Sequence, residues 1–193
     1  MADDRTDREL MIAIRDVSEC RALEELVRRW DSRLLGYLGK MLGDVFAARD
    51  LRQETYLRVW RSASTYNDTF AFSTWVTRIA TNLARTQLAR SRNDTGAVSA
   101  WARSGGEEAA SPLAVRKIFA NEQELFVRRV LEELSDADKE LLLMRFQLEL
   151  TYAQIGEITG CPDSTVKSRM NVLLRKLRHE LEHQGIDSGN VLP

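Results

Sequence analysis

The amino-acid sequence predicts an all-α protein of two small helical domains joined by a flexible linker. Apolar residues recur at helical spacing through most of the 193 residues, and the alternating pattern of strands is nearly absent. Only three prolines occur, so long helices are not interrupted. We therefore expect an N-terminal domain, a linker, a C-terminal domain and a flexible tail at residues 7–92, 93–120, 121–183 and 184–193.

The N-terminal domain is predicted to contain several amphipathic helices. Two apolar stripes at helical spacing indicate two successive helices, with Leu23, Leu26, Val27 and Trp30 in the first and Leu34, Leu35, Leu38 and Leu42 in the next. A further helix is expected over Ala48–Trp60.

The helix expected over Phe72–Arg92 separates a core face from a basic face. With Arg78 at 0° on a helical wheel, Asn82 lies at about 40° and Arg85 at about −20°. Four apolar residues lie together between about 100° and 160°, and they are Phe72, Val76, Ile79 and Leu83. The segment contains four arginines and no acid, which favours a face that contacts DNA over an ordinary solvated one. Trp75 belongs to an aromatic cluster at its start and is a candidate to stack on an unpaired base.

The segment from Asn93 to Ser111 is predicted to be a linker. It is rich in glycine, serine and alanine, contains a Gly-Gly pair and has no sustained apolar period. A flexible chain of about 28 residues spans about 30 Å on average. Trp101 is the one large aromatic residue in this segment.

The C-terminal domain is predicted to contain a helix-turn-helix. Thr151 and Gln154 have the spacing of a capping box, and Gly160 suits a left-handed turn. Pro162 then lies near the start of the second helix, where a missing N–H costs little. One face of this helix is apolar, because four residues are spaced 4, 3 and 4, and they are Val166, Met170, Leu173 and Leu177.

The second helix carries its polar residues on the other side, where they can enter a major groove. These candidates are Ser164, Thr165, Lys167, Ser168, Arg169 and Asn171. From Pro162 to Arg178 there are five cations and one acid, on a chain whose formal net charge is −1. A solvated face normally mixes the two signs, so this segment favours DNA contact over a packed helical hairpin.

The composition excludes several other classes of protein. No stretch approaches the roughly 20 apolar residues of a membrane span, and the charged N-terminus lacks an apolar signal core. We therefore expect a cytoplasmic protein that does not insert into a membrane. Cys20 and Cys161 lie far apart and are expected to be small buried residues, not a disulfide or a metal pair.

Residues His179 to His183 read HELEH, which matches a zinc-protease pattern. These are the only two histidines in the chain, and no third ligand is apparent in the sequence. We interpret the segment as a charged helix end. The sequence therefore predicts no metal, no cofactor and no enzymatic activity.

Four segments carry a resemblance to a known family. ALEELVRRW, GDVFAARDLRQETYLRVW and TFAFSTWVTRIATNLARTQLARSR strongly resemble region 2 of bacterial sigma factors of the extracytoplasmic-function type. LEELSDADKELLLMRFQLELTYAQIGEITGCPDSTVKSRMNVLLRKLR resembles their region 4. The likeness covers nearly all of the chain outside the linker and the tail, and it leaves no room for region 3.

The resemblance implies a factor that binds core RNA polymerase, directs it to promoters and helps to open the DNA. It implies that Asp50 and Gln53, with Leu51 and Glu54, bind the clamp coiled coil of the largest polymerase subunit. It also places region 4 on the flap of the second-largest subunit.

The resemblance likewise implies DNA contacts. Arg78 and Asn82, with Arg85 and Trp75, match positions that face the −10 element. Lys167, Ser168 and Arg169 match positions in the family's helix that recognises the −35 element. It further suggests an anti-sigma partner, which we expect to be helical, to wedge between the domains and to cover the surface around Asp50 and Gln53.

The chain departs from the family pattern at several positions. Arg49 stands where an acid is usual and Arg52 where an apolar residue is usual, so the docking surface is expected to be more basic. Thr86 stands where members of the family often have an aspartate. Val172 and Leu174 stand where arginine is common, which implies weaker phosphate anchoring and an atypical −35 sequence, or an anti-sigma interface.

Two other classes of function remain open from the sequence. An operator-binding regulator would use the helix-turn-helix to bind duplex DNA tightly by itself. A sigma mimic would titrate the partners of a sigma factor without initiating transcription. Transcription in vitro with purified core polymerase separates all three classes.

Overall fold

The computed structural model describes residues 3–101 and 133–183, which belong to two compact units. The first unit contains α1 (Asp7–Val17), α2 (Cys20–Leu42), α3 (Val45–Arg61), a 3-10 turn (Ala63–Thr65) and α4 (Phe72–Trp101). The second contains α5 (Asp136–Phe146), α6 (Tyr152–Thr159) and α7 (Asp163–His183). No strand occurs within the described residues, and the all-α prediction is confirmed. The predicted tail lies outside them.

Helix α2 is the central element of the first unit, and it packs against α1, α3 and α4. The prediction of two successive helices was wrong here, because both apolar stripes lie on this single helix of 23 residues. No glycine or proline interrupts the chain between Trp30 and Leu34, so the helix continues. Its buried residues are Ala22, Leu26, Trp30, Leu34, Tyr37, Leu38 and Met41.

Local signals determine where the first helices begin and end. Thr6 and Glu9 form a capping box at the start of α1. Gly43 ends α2 in the left-handed conformation with φ of 69°. Asp44 then caps α3, because its carboxylate accepts hydrogen bonds from the backbone N–H groups of Phe46 and Ala47 at 2.8 and 3.2 Å.

Helix α4 begins at Phe72 as predicted, but it extends to Trp101 instead of ending at Arg92. Residues 93–101, which were expected to form the first part of the linker, are therefore helical. No proline occurs before Pro112, and a single interior glycine costs a helix only about 1 kcal/mol. Residues 102–120 lie outside the described residues, so the bounds of the linker stay a prediction.

Within the described residues, the second unit has three helices, which pack on one another. Ser135 caps α5 by accepting a hydrogen bond from the backbone N–H of Asp138 at 3.2 Å. Arg145 donates a hydrogen bond to the carbonyl of Leu150 at 3.0 Å, which ties α5 to the loop before α6. Its core includes the buried residues Leu142, Met144, Leu148, Leu150, Ile155, Val166 and Met170.

An ion-pair network fixes the N-terminal segment to α2. Arg29 donates hydrogen bonds to Asp7 at 2.9 Å, to Glu25 at 2.7 Å and to the carbonyl of Arg5 at 2.7 Å. The indole N–H of Trp30 donates to the second carboxylate oxygen of Asp7 at 2.7 Å. Because Trp30 also belongs to the core, this network joins the surface of the unit to its interior.

We predict that Glu25 makes the stability of the first unit sensitive to acid. Hydrogen bonds from Arg28 and then Arg29 lower the pKa of Glu25 from 4.5 to about 2. A lowered pKa stabilises the folded state at neutral pH, and this contribution is lost as the pH falls from about 4.5 towards 2. The free energy of unfolding of Glu25→Gln should therefore lie below that of the wild type at pH 7, and the gap should close towards pH 2.

Glu24→Gln is the control for this measurement, because Glu24 is an exposed acid next to Glu25 on α2. The free energy of unfolding of Glu24→Gln should lie close to that of the wild type. The difference should not change with pH as it does for Glu25→Gln. A Glu25→Gln gap that stays constant between pH 7 and pH 2 would contradict the prediction.

Candidate nucleic-acid interface

Helix α4 presents the predicted basic strip to solvent. Arg78, Asn82, Arg85 and Arg92 are all exposed, and they lie on one side of the helix. The opposite side is packed into the first unit, with Phe72, Val76, Ala80, Leu83 and Ala84 buried. The predicted separation of a core face from a basic face is therefore present.

The core face of α4 contains three buried threonines that sequence reasoning missed. Thr74, Thr77 and Thr81 are at most 2% exposed, whereas Ile79, predicted to be core, is only half-buried. The hydroxyls of Thr81 and Tyr37 are hydrogen-bonded at 2.8 Å, which links α4 to α2. A search for regularly spaced apolar residues does not find buried threonines, because threonine is polar. Only the packing of the folded unit shows that they are buried.

Trp75 is half-buried at the start of the basic strip. Its ring packs edge-on against Tyr66 with centroids 5.2 Å apart, and its centroid lies 6.4 Å from that of Phe72. The Tyr66 hydroxyl donates to the carbonyl of Phe70 at 2.9 Å and fixes the preceding loop. Trp75 is thus held by two aromatic neighbours while part of its ring stays accessible.

Helix α3 exposes a mixed face that includes two of the residues implied for docking. Asp50 and Gln53 are exposed, whereas Leu51 and Glu54 are half-buried. Glu54 accepts a hydrogen bond from Arg58 at 2.8 Å.

Sequence reasoning missed two apolar residues on the same face of α3. Phe46 and Leu57 are 57% and 41% exposed, and they lie within about 60° of Asp50 and Gln53 around the helix axis. A partner protein that covered this face would remove the exposed apolar area of both side chains from water. The sequence does carry a sign of this surface, because Phe46 and Leu57 are apolar residues on the side of the helical wheel that is otherwise polar. We call Phe46, Asp50, Gln53 and Leu57 the docking face.

The docking face borders a groove of about 470 Å³ between α2 and α3. Its apolar lining includes Leu23, Val27, Tyr56, Leu57 and Trp60. Arg52, which was expected to make this surface more basic, instead pairs with Asp31 of α2 at 2.9 Å. Because Asp31 offsets the charge of Arg52, the docking surface is less positive than its number of arginines indicates.

Tyr56 places a buried hydroxyl beside this groove. The residue is 8% exposed, and its hydroxyl has no hydrogen-bond partner among the described residues. Burial raises the pKa of Tyr56 above its ordinary value, so the phenol stays protonated at neutral pH.

Helix α7 has the two faces predicted for a recognition helix. Val166, Met170, Leu173 and Leu177 are at most 9% exposed. The six polar candidates all lie in the exposed class, and they are Ser164, Thr165, Lys167, Ser168, Arg169 and Asn171.

The turn between α6 and α7 has the predicted geometry. Thr151 and Gln154 form a capping box, and Gly160 ends α6 in the left-handed conformation with φ of 73°. Gly156 is required by a close approach, since a Cβ atom there would lie 2.5 Å from the carbonyl oxygen of Cys161. Pro162 directly precedes the first residue of α7. The capping box, the left-handed glycine and the close approach at Gly156 together set the direction of α7, and its polar face is exposed.

One of the candidate DNA-reading residues has a partner on another helix. The guanidinium of Arg169 lies 3.4 Å from a carboxylate oxygen of Asp138 on α5. Val172 is 41% exposed and Leu174 is half-buried on the following turn. The surface of α7 therefore changes from polar to partly apolar along its length.

The two cysteines are more exposed than predicted. Cys20 is exposed at the first position of α2, so its predicted burial was wrong, and Cys161 is half-buried. Within the described residues, no group of three or more metal-ligating side chains is placed to hold an ion. In the HELEH segment His179 is exposed, and the side chains of residues 180–183 lie outside the description.

Comparison with known proteins identifies the family. Residues 26–103 match the family model of sigma-70 region 2, and residues 127–177 match that of sigma-70 region 4. The RNA polymerase sigma-H factor of Pseudomonas aeruginosa is 30% identical over 158 residues, which cover 78% of this chain and 81% of that protein. The ECF RNA polymerase sigma factor SigK of a Mycobacterium species (strain KMS) is 30% identical, covering 87% of this chain and 86% of that one. The chain belongs to the extracytoplasmic-function sigma factors.

A solved structure supports the fold of this sigma factor. The sigma factor RpoE of Bartonella quintana, in complex with the anti-sigma factor NepR, matches with a TM-score of 0.63 and 19% identity. The match covers 82% of this chain and 96% of that one. The region 2 match includes most of α2 and all of α3 and α4, and the region 4 match includes α5 and α6 and most of α7.

The family and the function that the resemblance implied are confirmed. This sigma factor binds core RNA polymerase and directs promoter-specific initiation of transcription. Within residues 3–101 and 133–183, no helix has both the length and the apolar character of a membrane span. The roles of individual residues stay predictions.

We predict that Gly156→Ala destabilises region 4. The added methyl group would meet a backbone carbonyl at 2.5 Å, and backbone cannot move aside as a flexible side chain can. Overpacking of this kind costs about 1–3 kcal/mol. Calorimetric unfolding of the variant and the wild type measures the effect.

Gly39→Ala is the matched control, because nothing lies within 4 Å of a Cβ atom at this glycine inside α2. It should stabilise region 2 by about 0.5–1 kcal/mol, since alanine loses less conformational freedom in a helix than glycine. The close-approach argument would be wrong if Gly156→Ala were as well tolerated as Gly39→Ala.

Proposed function

We propose that this sigma factor recognises promoters with two separate helical faces, α4 for the −10 element and α7 for the −35 element. The observation that carries the proposal is that each unit buries one face of a helix and exposes an opposite face with basic and hydrogen-bonding residues. Positive faces attract the phosphate backbone, while side chains that reach base edges supply the specificity.

On α4, Arg78 and Asn82 contact the non-template strand of the −10 element. Arg85, together with Arg92, mainly neutralises phosphate. Trp75 stacks on an unpaired base with the part of its ring that Tyr66 and Phe72 leave accessible. This division of roles gives base readout to the middle of the strip and charge neutralisation to its end.

On α7, Lys167, Ser168 and Arg169 lie in the major groove of the −35 element. Ser164, Thr165 and Asn171 lie in or beside the same groove. A good bidentate contact to one base is worth about 1–3 kcal/mol of discrimination. The partly apolar surface at Val172 and Leu174 reduces the contacts that this end of α7 makes with phosphate.

The docking face of α3 binds the clamp coiled coil of the largest polymerase subunit. Asp50 and Gln53 supply its polar contacts, and Phe46 and Leu57 supply apolar contacts on either side. Glu54 lies beside this face, whereas Leu51 lies about 100° from Asp50 around the helix axis. Region 4 binds the flap of the second-largest subunit.

We further propose that an anti-sigma factor controls this protein by covering the docking face. The related sigma factor RpoE of Bartonella quintana is seen with its anti-sigma factor NepR. Exposed apolar residues on α3 favour a protein partner in the absence of polymerase. The proposal places the protein in the cytoplasm and gives it no catalytic step, no cofactor and no membrane insertion.

Transcription in vitro with purified core polymerase tests the whole proposal. A sigma factor should initiate at specific promoters only when both proteins are present. An operator-binding regulator would bind duplex promoter DNA tightly without core polymerase. A sigma mimic would bind core polymerase and yield no specific transcript.

We predict different effects for two neighbouring residues of α4. Asn82→Ala should reduce open-complex formation and leave core binding unchanged, because it removes a base contact. Arg85→Ala should weaken binding to all promoters alike and reduce the salt slope by about 0.7–0.9 for each phosphate that is no longer neutralised.

Promoter opening and salt-dependent binding of the reconstituted holoenzyme measure these two effects. Arg21→Ala, at an exposed arginine of α2 that lies off the strip, is the control for removal of a surface cation. Unchanged promoter opening by Asn82→Ala would refute its role at the −10 element.

We predict that the apolar ends of the docking face contribute to core binding. Phe46→Ser and Leu57→Ser should each weaken the affinity for core polymerase by about five-fold, which corresponds to about 1 kcal/mol of missing apolar burial. Val17→Ser is the control, because Val17 is 72% exposed on α1 and lies off this face. An equal decrease in affinity for Val17→Ser would show that the effect is not specific to α3.

A further inference from the structure

Asp138 on α5 is the partner of Arg169, and its carboxylate is held in a defined orientation. The hydroxyl of Ser135 is hydrogen-bonded to one carboxylate oxygen of Asp138 at 2.8 Å. The same hydroxyl oxygen accepts the backbone N–H of Asp138 at 3.2 Å, as an N-cap does. Ser135 and Asp138 are thus tied together at the start of α5, and the second carboxylate oxygen is directed to Arg169.

The contact between Arg169 and Asp138 spans two helices of region 4. The two residues are 31 positions apart in sequence, and a guanidinium nitrogen of Arg169 lies 3.4 Å from the carboxylate. This distance exceeds the 2.7–2.9 Å that is usual for a tight charge-assisted hydrogen bond. The Arg169 side chain is 49% exposed. Asp138 therefore restrains the guanidinium without enclosing it, and other donors of Arg169 stay available to DNA.

We propose that Asp138 is a positioning residue for −35 recognition, which orients Arg169 before DNA binds. The proposal rests on the proposed role of Arg169 as a reader of the −35 element. A long side chain that is already restrained loses less conformational freedom when it binds, so its contact with a base becomes more favourable. The guanidinium fork can then donate to two acceptors of one base, as arginine does with guanine.

The carboxylate has a second effect on DNA binding. A negative charge beside the recognition helix repels phosphate and disfavours contacts that do not depend on sequence. Asp138 should therefore strengthen the preference for one base pair while it weakens general binding to DNA. These opposite changes distinguish positioning from a purely structural role, which would alter all binding in the same direction.

The experiment uses the full chain assembled with core polymerase and a promoter library that is randomised over the −35 element. The variants are Asp138→Asn, Asp136→Asn, Arg169→Ala and the double variant Asp138→Asn/Arg169→Ala. Asp136→Asn is the matched control, because both acids lie in the first turn of α5 and both substitutions remove one negative charge there. Binding to DNA without a promoter and thermal unfolding are measured for each variant.

Asp138→Asn should lower the preference at one −35 base pair by about two- to ten-fold, which is the effect of ordering one long side chain. Arg169→Ala should lose the preference at the same base pair, and adding Asp138→Asn to it should change nothing further there. Binding of Asp138→Asn to non-promoter DNA should be equal or tighter. Asp136→Asn should keep the wild-type preference.

Three results would overturn the positioning role. They are an unchanged preference in Asp138→Asn, the same decrease in Asp136→Asn, and a further decrease when Asp138→Asn is added to Arg169→Ala. If Arg169→Ala itself keeps every −35 preference, the proposed role of Arg169 fails, and the role of Asp138 fails with it.

Discussion

The buried stripe of α2 is the packing interaction on which the rest of region 2 depends. Helices α1, α3 and α4 all pack against α2. Trp30 joins several of these contacts, because its ring meets Phe72 edge-on at 5.8 Å and its N–H donates to Asp7 at 2.7 Å. Since α3 and α4 each bury one face in this core, their opposite faces are the surfaces available to partners. The docking face and the basic strip are therefore two consequences of one core.

In the described part of region 4, α7 likewise buries one face and exposes the opposite one. At the turn between α6 and α7 the backbone comes close to α6, and Gly156 leaves space for the carbonyl oxygen of Cys161. The buried residues of α7 then fill the remaining space. The geometry of this turn sets the direction of α7 and hence of its exposed polar face.

Charge along the sequence and charge on the surface differ in this protein. Arg52 pairs with Asp31, Arg58 with Glu54 and Arg169 with Asp138. Exposed pairs of this kind contribute little to stability, but each one restricts where a guanidinium points. A count of charges along the sequence therefore does not show which guanidinium groups are already held by a carboxylate.

The sequence by itself determined the helical class, the start of α4, the capping box at Thr151, the left-handed turn at Gly160 and the two faces of α4 and α7. All of these depend on residues within a few positions of one another, where periodicity and backbone preference act directly. Only the tertiary structure decided that both apolar stripes form one α2 and that Cys20 is exposed. It also decided that Tyr56 buries a hydroxyl that has no hydrogen-bond partner in the described part of the chain. It also decided the partners of Arg52 and Arg169, which lie 21 and 31 positions away along the chain. Contacts between such distant residues arise from the packing of whole helices, and no local pattern encodes them.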